Sequence, residues 1–525
     1  MQLDLSVPAE LMIALLPEIV LTVGILFLVL WSAWRPASAA HQRQVGILSL
    51  AVSVITLGVV IWCAVRSNSA GPGPLAVDGF RWATDVILLI GAICTIAMSL
   101  DYQEREGITA PEGHVLVLLS LVGMMLIAGA RDLVVAFLGI EIMSVAVYVL
   151  TGLNRRSPRS AEGSLKYFLL GAFSTAFLLY GITLVYGATG TTEFAGIAAQ
   201  TGRSAVLASP LFRLGMGLLV VGFGFKVAAV PFHMWAPDAY EGAPTPITGF
   251  MAASVKAAAF AGFLRLFIEG FPAALAEWHL ALWWLAAVTM VAGNVIALAQ
   301  RNMKRMLAYS SIAHAGYILI AVAIGAKTGV DVGVTGSSAF VVYLFAYTLS
   351  TMGAFAVVTV LAGPGEPYLD MRDYSGLWTV RPGITLAMSV FMFALLGFPV
   401  FGGIGFFAKW YMLQAALRGG AEPQVLLAFT LVFTSVLSAG YYLYVVTLMF
   451  VAARNEEIPV PDHPRRFTGG VIVAMAILIL FFGFAPSQVL RTANRSMLYP
   501  TQVVPVAEPT VEPVAAATRQ SMPRR

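Results

Sequence analysis

Lysine is scarce in this chain, and its placement is the first chemical signal. Lys and Arg together number 31 in 525 residues, and only six of them are lysine. Four of the six, Lys166, Lys226, Lys256 and Lys409, fall inside apolar stretches, whereas the arginines fall in polar segments or near the ends of apolar ones, Arg265 deepest among them. Arginine keeps its proton under nearly all conditions, but a buried lysine can lose it. The sorting therefore points to exchangeable protons rather than to fixed charge.

Glu141, in "AFLGIEIMSVAVYVL", reads as the one acid deep in an apolar stretch. A lone charge at mid-bilayer costs at least about 2.5–3.5 kcal/mol. An acid–base pair 4 Å apart recovers about 4 kcal/mol at an effective dielectric near 20, which is about a thousandfold in proton affinity. Making or breaking a Glu141–Lys226 contact would thus switch a lysine between holding and releasing its proton. His233 and His314 are candidate relay groups, with hydrogen-bonded core histidines as the plainer alternative. Lys166 lies less than two turns into its stretch, so it could also reach the interface.

These residues need elements to hold them, and the composition says which kind. The chain is 59% hydrophobic and 11% charged, far below the ~25% charged residues of a soluble chain. Apolar runs long enough to cross a bilayer recur throughout, and a lipid-exposed backbone must bond within its own helix. The expected fold class is an all-α polytopic membrane protein of about fourteen helices, over 11–34, 45–65, 80–100, 113–130, 132–153, 161–189, 209–230, 244–268, 278–299, 304–325, 335–362, 383–417, 424–452 and 469–488. No basic leader precedes a cleavage site, so the first run is expected to stay as a span. The proline- and valine-rich tail from 491 to 525 is expected to be an extended arm.

Spans seven and twelve should be interrupted. The seventh runs into Pro231, Pro237, Pro244 and Pro246, and the twelfth contains Pro399, Gly402, Gly403 and Gly405. Proline removes a backbone donor, and glycine loosens the turn around it. Such breaks are expected to admit water beside Lys226 and Lys409. Five spans separate them, and an odd offset reverses orientation, so helices 4–8 and 9–13 can be inverted copies. A ten-residue spacing from Arg131 to Glu141 and from Lys304 to His314 echoes that repeat. The expected division is 1–112 for helices 1–3, 113–268 and 278–452 for the two repeats, 469–490 for helix 14, and 491–525 for the tail.

Cys63 and Cys94, the two cysteines, show no Cys-x-x-Cys spacing, and neither a P-loop nor a GxGxxG turn is present. A chain-encoded cluster, zinc ribbon or nucleotide site is not expected. Cationic loops cluster on the side opposite the termini, which places both termini outside the cytoplasm by the positive-inside rule.

The strings "KVAAVPFHMWAPDAYEGAPTPITGFMAASVK", "KYFLLGAFSTAFLLYG" and "KRMLAYSSIAHAGY" closely resemble the antiporter-like membrane subunits of proton-pumping NADH:quinone oxidoreductase (complex I). The resemblance covers about residues 10 to 490. It implies fourteen helices with two inverted half-channels and broken helices seven and twelve. It also implies roles in proton translocation for Glu141 with its paired Lys226, for Lys256 at the centre and for Lys409 on the output side. The helix-six string, Lys166 within it, and lysine rather than glutamate at 409 resemble the subunit N branch of the family. That branch would sit beside subunit M and small subunits such as K and J in a bacterial plasma membrane. It would hold no cofactor or metal itself, the flavin, iron–sulfur clusters and quinone belonging to partner subunits. Other readings are a subunit of an Mrp-type cation/proton antiporter, a related subunit of a membrane-bound hydrogenase complex, and an organic-solute transporter. The last lacks the intramembrane arginine it would need.

Overall fold

The structure, a computed structural model, describes residues 12–36, 38–66, 73–325, 334–419 and 423–499. Among these there is no strand, only three isolated bridges. The main helices are α1 (Leu16–Trp34), α2 (Ala39–Arg66), α3 (Gly79–Glu106), α4 (Glu112–Gly129), α5 (Leu133–Thr151) and α6 (Pro158–Thr189). They continue with α7 (Pro210–Lys226), α8 (Ala236–Gly242), α9 (Thr245–Gly270), α10 (Leu275–Leu298), α11 (Met303–Ala323) and α12 (Gly336–Leu361). The rest are α13 (Pro382–Leu396), α14 (Ile404–Gln414), α15 (Val425–Phe450), α16 (Arg466–Phe484) and α17 (Pro486–Arg495).

Twelve of the described helices are long and apolar enough to cross a membrane. The seventh and twelfth spans are interrupted, as the prolines and glycines indicate, into α7 with α8 and α13 with α14. Residues 491–495, placed by the sequence in an extended arm, close the short helix α17; from 500 onward the arm lies outside the described residues.

The interior is built from α9, α11 and α12. The apolar window of α9 is 100% buried, against 28% in α1, α2 and α16, which form the rim. Small residues let the inner helices touch backbone to backbone. A Cβ on Gly123 of α4 would stand 2.6 Å from the Gly139 carbonyl oxygen of α5, and one on Gly293 of α10 would stand 2.5 Å from the Ala313 nitrogen of α11.

One local arrangement occurs twice. Asp132 caps α5, and the backbone beside it bridges to Glu193, with Leu133 N donating to Thr192 O and Phe194 N to Arg131 O. Asn302 caps α11 and bridges to Asp370, with Met303 N donating to Leu369 O and Met371 N to Arg301 O. These ties set Arg131 against Arg301, not against Lys304. The ten-residue echo read from the sequence is therefore out of register: Glu141 matches Ser311, and His314 matches Ser144.

Candidate functional site

Each helix break brings a helix end inside the bundle. α7 stops at Lys226, and residues 227–235 leave the helix, Ala228 with φ 57°. The Trp235 indole reaches back across the break to the Phe225 carbonyl at 2.9 Å and stacks on Tyr167, ring centroids 4.2 Å apart. α13 stops at Leu396, and Gly397, Val400 and Gly403 all take positive φ before α14 begins. The last carbonyls of a helix lack partners and carry the negative end of its dipole. A cation placed there is stabilised without any carboxylate.

Lys409 uses this directly, and two further buried lysines are held by other neutral groups. Lys226, 3% exposed, is itself the last residue of α7. Its Nζ donates to Ser144 Oγ at 2.8 Å and Tyr148 OH at 3.3 Å, both on α5. Lys409, 7% exposed, reaches from α14 across the second break to the Leu396 carbonyl at 2.9 Å, over the Tyr317 ring. Lys256, 2% exposed, sits mid-way along α9 and donates to the Ser311 carbonyl at 2.9 Å and to its hydroxyl. None of these three has a carboxylate partner among the described residues.

α11 joins the second and third lysines. Ser310, Ser311, His314 and Tyr317 recur at helical spacing on one face. Ser311 takes the Lys256 ammonium. One turn on, His314 bonds the Tyr343 hydroxyl through Nδ1 at 2.7 Å and the Tyr442 hydroxyl through Nε2 at 3.1 Å. Tyr442 also bonds Ser310. A cavity of about 10 Å³ lies between His314 and Lys409, lined also by Tyr343, Tyr347 and Ser350, at the lower limit for one water molecule.

Several expectations change. Glu141 and Lys226 are not an ion pair here: Glu141 Oε1 accepts from Thr175 Oγ1 of α6 at 2.9 Å, while Lys226 faces Ser144, one turn further along α5. Lys166 is exposed rather than interior, because α6 turns that side outward; it pairs with Glu162 at 2.6 Å and Asp238 at 2.8 Å. His233 lies half-buried in the first break, near Tyr309. The breaks present apolar surface as well as helix ends, Met234 in the first and Phe398, Val400 and Phe401 in the second, with Val400 80% exposed.

Nor is Glu141 the deepest acid. Asp85, in α3, is fully buried one turn from Arg81, which binds Glu18 at 2.6 Å. Arg265 grips Asp78 with two bonds of 2.8 and 2.9 Å and Glu269 with one of 2.7 Å. Burial raises the Asp78 carboxyl, but the Arg265 guanidinium outweighs it and holds it at about 2. Lys304, buried at the start of α11, pairs with Glu366 at 2.9 Å. There too burial works against the charge, and the ammonium wins, leaving Glu366 below the ordinary carboxylate value.

Sequence reasoning missed Ser144, Tyr148, Ser311, Tyr317, Tyr343 and Tyr442. The polar face of α11 was a legible signal; that Tyr343 and Tyr442 face it from two other helices was not.

The fold and site together describe a helical membrane protein with buried lysines that lack a carboxylate at ion-pair distance, two of them beside broken helices. A family profile described as NADH:quinone oxidoreductase/Mrp antiporter, TM matches residues 130–438, and the chain belongs to that family. Subunit N of NADH-quinone oxidoreductase from Gemmatimonas aurantiaca is 48% identical over 492 residues, 92% of this chain and 93% of its own length. The same subunit from Trichlorobacter lovleyi is 41% identical, over 92% and 96% of the two chains. A chain of respiratory complex I from Thermus thermophilus, solved with bound aureothin, superposes with a TM-score of 0.75 at 34% identity, covering 92% of this chain and all of its own. A chain of the Mrp complex from Dietzia sp. reaches 0.78 at 20% identity, over 92% and 97%, a likeness of fold alone.

Proposed function

We infer that this chain is the N-type proton-translocating membrane subunit of an NADH:quinone oxidoreductase, part of a multi-subunit membrane assembly. The observation that carries the reading is the row of buried lysines held by hydroxyls and carbonyls instead of carboxylates. Such a group gains and loses a proton without stranding a buried counter-charge.

Lys226 is the input group, fixed by Ser144 and Tyr148 at the end of α7. Glu141 stands one turn away on α5, and a shift of either side chain along that helix would bring the two charges together and raise the lysine's hold on its proton. Release passes the proton to Lys256, held by Ser311. It then moves along α11 past His314, through the small cavity, to Lys409 and outward. Lys166 and Asp238, at the surface, receive charge changes from a neighbouring subunit. His233 serves the first break. Electron transfer to quinone occurs in partner subunits, which hold the flavin and iron–sulfur clusters.

The twin bridges at Asp132 and Asn302 support an inverted repeat, helices 4–8 within 113–268 and 9–13 within 278–452, flanked by an N-terminal unit over 1–112 and a last helix over 469–490. Each split helix then counts as one crossing, for fourteen in all, with both termini outside the cytoplasm of a bacterial plasma membrane. The apolar surface of the breaks suits cover by neighbours such as subunits M, K and J, since unwound backbone cannot face lipid.

Lys226→Ala in the assembled complex tests this. The expected result is a lower proton-to-electron ratio with NADH oxidation still coupled to quinone. A wild-type ratio rejects the role. Flavin and iron–sulfur subunits should co-purify with the tagged chain; sodium-driven proton flux in vesicles without NADH would instead indicate an Mrp-type antiporter.

A further inference from the structure

On the side of the bundle where α3 ends and α13 begins, α13 and α16 diverge and leave a groove of about 740 Å³. Small residues on both walls, Gly383 and Ala387 on α13 and Gly469 and Ala476 on α16, keep it open. Its floor and flanks are apolar, and Leu386, Val473 and Ile477 are exposed along it. From Pro382 to Val390 it descends about 12 Å at 1.5 Å per residue, most of the ~15 Å of hydrocarbon in one leaflet.

At the mouth stand Arg381 and His463. Arg381 Nε donates to the Pro461 carbonyl at 2.8 Å, and Nη1 lies 3.5 Å from the Val380 carbonyl. Arg381 has no carboxylate partner among the described residues. Arg81, Arg131 and Arg265, in contrast, each pair with acids. A half-buried guanidinium bonded only to carbonyls, above an apolar trough of leaflet depth, has the charge pattern of a phosphate over an acyl chain.

We propose that this groove is a binding site for a glycerophospholipid, its acyl chain between α13 and α16 and its phosphate on Arg381 with His463. The bound lipid braces α13, the first half of the helix whose break carries the Leu396 carbonyl and Lys409. The site goes beyond the proton-translocating role and depends on the family reading only in that the assembled complex is the sample.

The test uses the complex in vesicles containing a trace of photoactivatable phosphatidylglycerol, or of a diacylglycerol with the same acyl chains. After illumination, peptides covering 382–390 and 469–477 are mapped. The phospholipid should label them about fivefold more than the diacylglycerol, the attraction expected of one basic residue at the surface. Arg381→Gln should remove that preference, and Ala476→Phe, which fills the trough, should lower labelling by both probes. Arg155→Gln, on the loop between α5 and α6, should change neither. Equal labelling by the two probes would mean ordinary surrounding lipid, and no labelling would mean that a partner helix covers the groove; either overturns the proposal. The labelling is read without proton pumping, so its failure is separate from failure of the functional reading.

Discussion

The lysine row and the arginine clusters are both buried ionic chemistry in one bundle, yet they are built on opposite rules. Arg81 and Arg265 each hold carboxylates at hydrogen-bond distance. Lys226, Lys256 and Lys409 hold serine and tyrosine hydroxyls and backbone carbonyls, and no carboxylate. A bidentate guanidinium–carboxylate pair locks charge in place and ties α3 to α9. Neutral dipoles tolerate an ammonium but do not require one, so the proton can leave. The contrast teaches that a buried cation's partners, more than its depth, decide whether its proton is locked in place or free to leave.

The largest expected effect comes from breaking a strut. Arg265→Leu leaves Asp78 and Glu269 with only the longer Arg131 contacts of 3.8 and 3.3 Å and should destabilise the fold by about 3–5 kcal/mol, read as loss of assembled complex from membranes. If that variant assembles normally, the arginine clusters are not structural. Next is Lys256→Arg, which keeps the charge but not the exchangeable proton. It should slow proton flux through this chain about 100-fold, as removal of an acid–base group typically does, while subunit assembly is retained. Ser311→Ala removes one of the two groups on Lys256 and should cost about 1.5–3 kcal/mol of that hydrogen bonding, seen as a flux reduced on the order of tenfold. An unchanged flux would mean the carbonyl alone suffices.

The smallest effect is confined to acid. Asp78 is depressed from the ordinary 3.8 to about 2 when folded. Its contribution is therefore fully present above about pH 4 and lost as pH falls through about 2. An acid-unfolding curve should show this loss, and Asp78→Asn should flatten it. No difference between the two curves would break the assignment of Asp78 as a permanently charged strut.

The same contrast explains how much was legible. The interior positions of Lys226, Lys256 and Lys409 could be read because an ammonium in an apolar run is conspicuous in one dimension. So could the two breaks, since proline and glycine act on the local backbone. For Lys166 the sequence left an interior and an interface position open, because hydropathy reports the segment and not the side, and the structure places it on the exposed side of α6. Asp85 escaped notice beside Arg81, since a paired acid near a span's end looks like interface. That Arg131 and Arg301 stand in like surroundings needed the backbone ties at Asp132 and Asn302.

What the sequence by itself determined is the set of local quantities: which segments partition into lipid, where helices must stop, and which few side chains could carry a proton there. Each depends on residues within a few turns of one another. What only the tertiary structure decided is partnership. Lys226 lies beside Ser144 rather than Glu141, Lys256 reaches a serine on α11, and Lys409 takes the end of α13. These contacts join groups 82, 55 and 13 residues apart, and a hydrogen bond acts only over about 3 Å, so helix packing alone settles which of many possible pairs is made.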